Sequence, residues 1–302
     1  MKYFKVKKSR IAPSYEINEE NFENMTLHQY PFEQGGKHIS QYAICPSCLN
    51  PIQIIGLIRK TKMAPYGKHT EKDIDDLANR NQVKYVFCPY ADSKHRRKMD
   101  DNELLPDITE DIVGLYNLLK ENFDKVVYFI SKELNIKCSA AFWEKVLDDF
   151  LYNRAYCYAW LTENNLPYVL VYSGMRHKNV YNQSFKVDSE VFEELNQNPD
   201  IKFEDSSYGK EYKRLSSNGK YLALEFRLCG HYQNGIEGKE LYESMHFCID
   251  DIKDKNNVKV YFEKEIVFDQ HHFMNLVRYN SYRNQQLLDI ATKLMPPLKV
   301  SE

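Results

Sequence analysis

The clearest periodic pattern lies toward the C-terminal end, where apolar and polar residues alternate in three consecutive runs. The turn sequences Asn234-Gly235 and Asn256-Asn257 separate these runs. Alternation with a period of two is typical of strands that bury one face, and Asn-Gly is a strong hairpin signal. The pattern therefore predicts a three-stranded antiparallel meander. Its expected apolar face comprises Leu222, Leu224, Phe226, Leu228, Glu243, Met245, Phe247, Ile249, Val258, Val260 and Phe262.

Helical spacing of apolar residues appears in three other segments. It predicts one helix from Thr109, a second from Ser139 to about Leu161, and a closing helix over Phe273–Leu294 that should cover the apolar side of the meander. The continuous apolar run Pro167–Tyr172 has the length of a buried strand and is predicted as one.

A different signal occupies the N-terminal third, where strands predicted over Ile39–Ile44 and Ile52–Ile58 flank Cys45-Pro46-Ser47-Cys48. Free amide groups in such a turn point at the thiolate sulfurs and stabilise their charge. Over about a dozen residues this knuckle resembles those of rubredoxin-like and zinc-ribbon proteins, although Leu49 stands where they usually carry a glycine. The resemblance implies half of a zinc site.

The other half must come from His69, Cys88 or His95. Twenty residues separate Cys48 from His69 and 18 separate His69 from Cys88, spacings that suit a zinc site in two halves. We predict a helix over Asp73–Asn79 and a strand over Tyr85–Phe87 between these halves. The expected zinc ligands are Cys45, Cys48, His69 and Cys88, with His95 as the alternative to His69.

Four protein ligands leave no open coordination position, so we expect the zinc to be structural. The competing interpretation is a pair of buried cysteines with an unrelated third. Seven cysteines without an export signal favour reduced thiols, and no apolar run approaches the roughly 20 residues that cross a bilayer. We therefore expect a cytoplasmic protein with no membrane partner. None of the 11 glycines builds a dinucleotide fingerprint or a Walker-type loop.

Charge is distributed unevenly along the chain, although the net charge is only −2. Residues 1–98 hold 17 Lys and Arg against 10 Asp and Glu, whereas the remainder holds 24 against 33. Such asymmetry indicates a polyanion partner for the basic part, or simply a solvated surface. The candidate nucleic-acid-binding residues are Arg59, Lys60, Lys62, Lys94, Arg96, Arg97 and Lys98.

The polar face of the predicted meander carries Glu225, Arg227, His231 and His246. These residue types serve as general acids and bases where a cleft covers them. The alternative is a face that is simply in contact with water, as in many antiparallel sheets.

Together these patterns predict an α+β chain with a small zinc-knuckle N-terminal domain, a helical segment, and an antiparallel meander packed by a C-terminal helix. The expected boundaries are 1–98, 99–165 and 166–302. We expect a zinc-stabilised accessory protein of a bacterium or phage that binds nucleic acid or a nucleoprotein, with a protein partner on its acidic C-terminal domain. The alternative is a metal-dependent nuclease with its site on the C-terminal sheet.

Overall fold

The computed structural model describes residues 1–9, 12–35, 39–58, 63–86, 88, 90–91, 104–217, 222–234, 242–254, 258–269 and 272–301. Within these ranges the chain is a mixed α+β fold, and every pairing between its strands is antiparallel. This confirms the α+β class that the sequence predicts.

Residues 1–91, which we call the first module, contain short strands and two helices. The elements are β1 Tyr3–Phe4, β2 Tyr15–Glu16, α1 Glu19–Thr26, β3 Glu33–Gln34, β4 Ser40–Ile44, β5 Pro51–Ile55, β6 Tyr66–His69 and α2 Gln82–Val86. Strands β3, β4, β5 and β6 form one sheet in that order, and β1 pairs with β2. Phe4, Phe22 and Ile52 lie fully buried in the core of the module.

Residues 104–301, which we call the body, contain the remaining elements. The helices are α3 Glu110–Glu121, α4 Phe123–Glu133, α5 Ala140–Tyr152, a short 3-10 helix Ala155–Cys157, α6 Leu166–Gly174, α7 Glu190–Asn196, α8 His272–Tyr279 and α9 Gln285–Leu294. The strands are β7 Ile136–Lys137, β8 Ser184–Lys186, β9 Ile201–Asp205, β10 Tyr212–Ser217, β11 Leu224–Asn234, β12 Tyr242–Asp251 and β13 Lys259–Val267.

One hydrophobic core runs through the body and includes residues from α3 through α9. The sheet β11-β12-β13 contributes one face to this core, and a second sheet has the order β7-β8-β10-β9. Phe226 of β11 contacts Phe142 of α5 edge to face at 5.9 Å between ring centroids. Helices of the 109–161 region therefore share their core with the C-terminal sheet.

The predicted meander is confirmed, but two bulges change which residues face the core. The register between β12 and β13 shifts at Ile249 and Asp250, so that Phe262 lies opposite Ile249 while Val260 lies opposite Asp250. Phe262 is buried, whereas Val258 and Val260 are exposed. An extra residue in a strand reverses the alternation beyond it, so the strict alternation placed Val258 and Val260 on the wrong face.

The helix predicted from Thr109 is confirmed as α3, whereas the structure corrects the other two predicted helices and the predicted strand at Pro167–Tyr172. That run belongs to α6, in which every residue is buried, so no polar face marks a helical period. The helix predicted from Ser139 to about Leu161 ends at Tyr152. The closing segment is two helices: α9 packs on α3, α4 and α5, and α8 packs on α4, instead of covering the meander.

Two local predictions near the second half of the zinc site are also wrong. Residues Asp73–Asn79 form turns closed by an antiparallel bridge between Ile74 and Ala78, and they contain no helix. Tyr85 lies in helix α2, not in a strand. Short segments such as these carry too few residues for their period to distinguish a helix from a strand.

Candidate metal centre

The knuckle is the turn between β4 and β5. Cys45 directly follows β4. The backbone N–H of Leu49 donates to the carbonyl oxygen of Cys45 at 3.1 Å, and the backbone N–H of Cys45 donates to the carbonyl oxygen of Asn50 at 2.8 Å. Leu49 has φ +59°, the left-handed conformation that favours glycine. Its side chain is buried against Ile44, and this burial compensates the backbone cost of a leucine at that position.

The remaining two ligand candidates come from β6 and from the end of α2. His69 is the last residue of β6 and lies opposite Ile52 in the sheet. Cys88 follows α2, and its N–H donates to the carbonyl oxygen of Tyr85 at 2.9 Å. The Tyr85 ring contacts the His69 ring edge to face at 5.2 Å, and the Arg80 guanidinium lies 4.7 Å from the Tyr85 ring centroid. These contacts hold the imidazole toward the knuckle.

The four predicted ligands converge on one point. The sulfur atoms of Cys45, Cys48 and Cys88 and a ring nitrogen of His69 all lie within 4.8 Å of one another. Cys45 and Cys88 have their sulfurs 3.8 Å apart, and Nε2 of His69 lies 3.2 Å from Sγ of Cys48 and 3.6 Å from Sγ of Cys88. The three cysteines are buried. The cluster can therefore hold one metal ion.

Electrostatics in the cluster already favour the deprotonated state of one cysteine. Burial opposes a thiolate at Cys48, but hydrogen bonds with Cys45 and Cys88 and the charge of His69 lower the pKa of Cys48 well below its usual value. Burial also opposes a charged His69, yet the charges of Cys48 and Cys45 raise the pKa of His69 well above its usual value. The pKa of Cys88 is raised, first by burial and then by its two cysteine neighbours.

Asn50 is a supporting residue that the sequence analysis did not identify. Its Nδ2 donates to Sγ of Cys48 at 3.2 Å and to the carbonyl oxygen of Asn81 at 3.1 Å, while its Oδ1 accepts from the N–H of Asn81 at 2.5 Å. Asn50 thus links the knuckle to the start of α2. The only sequence feature that indicated this supporting role was the position of Asn50, two residues after Cys48.

Several predicted site residues fall outside the described ranges. His95, the alternative fourth ligand, is one of them. All seven candidate nucleic-acid-binding residues are also outside: Arg59, Lys60, Lys62, Lys94, Arg96, Arg97 and Lys98.

The four candidate catalytic residues on the C-terminal sheet bind four different partners. Glu225 Oε2 lies 3.0 Å from His177 Nδ1, and His246 Nδ1 lies 2.9 Å from Glu263 Oε1. Arg227 forms an ion pair with Asp250. These contacts give no assembled acid and base cluster among the candidates.

His231 is separated from the other three because it points toward the core. A bulge between Cys229 and Tyr232, with Gly230 at φ +65°, turns His231 inward. Its Nε2 lies 2.8 Å from Glu243 Oε1, and both side chains are at most 3% exposed. Its ring stacks on Trp160 at 4.2 Å between centroids. The expectation that His231 lies on the polar face is therefore wrong.

Glu243 joins His231 to a loop before α6. Asn165 Nδ2 donates to Glu243 Oε1 at 2.9 Å and to the Trp160 carbonyl oxygen at 3.0 Å. Glu163 in the same loop accepts from Lys5 Nζ of the first module at 2.7 Å. The sequence signal for this buried network was Glu243 itself, a carboxylate at an apolar position of an alternating strand.

No known protein family model, curated protein or solved structure matches this chain. Among the described residues, no helix combines the length and the apolar character that crossing a bilayer requires.

Proposed function

We propose that the first module binds one structural Zn²⁺ through Cys45, Cys48, His69 and Cys88. The convergence of these donors within 4.8 Å supports the proposal. A tetrahedral site with zinc–sulfur bonds of about 2.3 Å has sulfur–sulfur separations of about 3.8 Å, and the Cys45 and Cys88 sulfurs lie 3.8 Å apart. Three thiolates and one imidazole form a closed set of ligands, so the ion stabilises the fold and takes no part in chemistry.

Metal analysis of the purified full chain tests this site. We expect about one zinc per chain, and a strong loss of zinc in Cys45→Ser and Cys88→Ser. Cys138→Ser is the matched control, because Cys138 is a buried free cysteine of the body. Folded protein that carries no metal, or equal zinc in all three variants, would contradict the proposal.

We further propose that the zinc-stabilised module is a binding module for nucleic acid, and that the protein acts as an accessory factor. The support is the position of its basic runs in the sequence. The run 59–62 lies between β5 and β6, which flank the metal centre, and the run 94–98 begins six residues after the ligand Cys88. Both runs therefore start from segments that the metal would hold.

These two runs also supply most of the basic excess of residues 1–98. Within the described residues of 1–91 there are eight Lys and Arg and nine Asp and Glu. The excess of basic residues in 1–98 therefore comes from the positions outside the described ranges, which include all seven candidates. Cations on such runs displace counterions from a phosphate backbone, and this term makes binding depend on salt.

Binding of a labelled single-stranded DNA by the full chain, measured over a salt series, tests the nucleic-acid role. Replacing Lys94, Arg96, Arg97 and Lys98 with Gln should reduce the slope of log K against log salt by about 3. A control with four exposed lysines of the body replaced, Lys145, Lys202, Lys210 and Lys253, should keep the slope. Absence of binding at low salt, or equal slopes in the two variants, would contradict the proposed binding of nucleic acid.

A further inference from the structure

Among the residues that the structure describes, two lysine–carboxylate pairs join the first module to the body. Lys5 Nζ lies 2.7 Å from Glu163 Oε1, with side chains 0% and 6% exposed. Lys84 Nζ lies 2.9 Å from Asp111 Oδ2, with side chains 8% and 14% exposed. In both pairs the module supplies the cation and the body supplies the carboxylate. Separating the two members of a buried ion pair costs free energy, so each pair is sensitive to displacement of the module.

Each lysine is attached to a segment that carries metal ligands. The backbone of Lys5 exchanges two hydrogen bonds with Ile44, at 2.9 and 3.0 Å, and Ile44 directly precedes Cys45. The position of the knuckle therefore determines the position of Lys5.

Lys84 is connected to the metal centre through α2 and Asn50. It lies on α2, four residues before Cys88, and its N–H donates to Oδ1 of Asn81 at 2.9 Å. The N–H of Asn81 in turn donates to Asn50, which donates to Cys48. Both lysines are thus connected through short hydrogen-bonded paths to the proposed ligands.

On the body side, the Lys5 pair ends in a hydrogen-bonded loop. Thr162 and Asn165 hold each other through reciprocal hydrogen bonds at 2.7 and 3.2 Å, with Glu163 between them. Asn165 also binds Glu243 and the carbonyl oxygen of Trp160. Displacement of Lys5 would break its ion pair with the buried Glu163. Asn165 joins the same loop to Trp160, so the exposure of Trp160 reports on the contact.

We propose that occupancy of the metal centre controls the docking of the first module on the body, so that loss of the ion weakens both lysine pairs and opens the loop around Trp160. This inference rests on the metal site proposed above and adds to it a conformational response in the body. Loosening the knuckle and α2 removes the backbone support of Lys5 and Lys84. If metal binding strengthens a lysine pair, that pair must strengthen metal binding by the same coupling free energy. Disrupting the pair should therefore lower the affinity for zinc.

Fluorescence of the full chain in a Trp143→Phe background tests the response, because the chain contains two tryptophans and Trp160 then remains alone. Removing zinc with a chelator should make Trp160 more accessible to acrylamide, and adding zinc back should reverse the change. Cys45→Ser should show the accessible state without chelator. Far-UV circular dichroism checks in each case that the body stays folded.

The reciprocal measurement is the zinc affinity of the full chain, from equilibrium competition with a chromogenic chelator. Lys5→Met and Glu163→Gln should raise the Kd for zinc by a factor of about 5 to 150. The matched control is Lys213→Met, since Lys213 pairs with Asp205 at an exposed site within the body; its Kd for zinc should equal that of the parent protein. Glu163→Gln preserves the side-chain shape and tests the same ion pair if Lys5→Met does not fold.

The outcomes separate the two proposals. Zinc that binds and leaves with no change at Trp160, or zinc affinities that are equal in all variants, would overturn the docking inference and leave the metal site intact. A folded chain without zinc at the four ligands would overturn both.

Discussion

Protons and the metal compete for the same atoms at the centre. Zinc needs a neutral imidazole and thiolates, whereas burial and neighbouring cysteines raise the pKa of Cys88, and nearby thiolates raise the pKa of His69 well above its usual value. Groups with raised pKa values hold their protons to higher pH, so zinc must displace those protons when it binds. Metal retention should consequently be strong at alkaline pH and fall as the pH is lowered.

Zinc release measured from roughly pH 8 to pH 5 checks this expectation. The bound fraction should decrease monotonically toward acid, with proton uptake on release. Constant retention across this range would contradict the assignment of His69 and Cys88 as ligands.

At the level of elements, the packing of α5 on α6 depends on one glycine. A Cβ at Gly174 would lie 2.1 Å from the carbonyl oxygen of Val146 in α5, a backbone atom that cannot move alone. Gly174→Ala should therefore force the two helices apart and lower the free energy of unfolding by about 3 kcal/mol. Chemical denaturation monitored by circular dichroism measures the loss.

Gly114 provides the matched control, because it lies within α3 and a Cβ there meets nothing within 4 Å. Gly114→Ala should raise the free energy of unfolding by about 0.5–1 kcal/mol, since alanine loses less conformational freedom in a helix. If both substitutions changed the free energy of unfolding in the same direction, the result would contradict the close approach of α5 and α6.

Elements in which several residues share one period could be predicted from the sequence, whereas positions beyond a single inserted residue could not. The meander was evident from its long alternation, but the bulges at Cys229–Tyr232 and Ile249–Asp250 placed His231 inside and Val260 outside. Periodicity does not show where a strand gains a residue. The run in α6 was misread because a helix that is apolar on all sides shows no period.

The metal cluster could be predicted because its chemistry restricts the choice of residues. Sulfur and imidazole donors at suitable spacing indicated Cys45, Cys48, His69 and Cys88. The helix and the strand predicted between His69 and Cys88 were nevertheless wrong. The contacts between the module and the body could not be predicted. Lys5 and Glu163 are 158 residues apart in the sequence, and no local pattern relates them.

At the scale of the whole molecule, the two cores differ in their need for the metal. The core of the first module is small and contains three of the proposed ligands, whereas the body has a far larger core without them. Small cores seldom stabilise a fold alone, and structural zinc supplies the folding free energy of such modules.

Removing zinc should therefore increase amide hydrogen exchange throughout residues 1–91, while α4, α5 and α6 keep their protection. Hydrogen exchange with mass spectrometry, with and without chelator, measures this difference. Unchanged exchange in the module, or equal loss of protection in both parts, would contradict it.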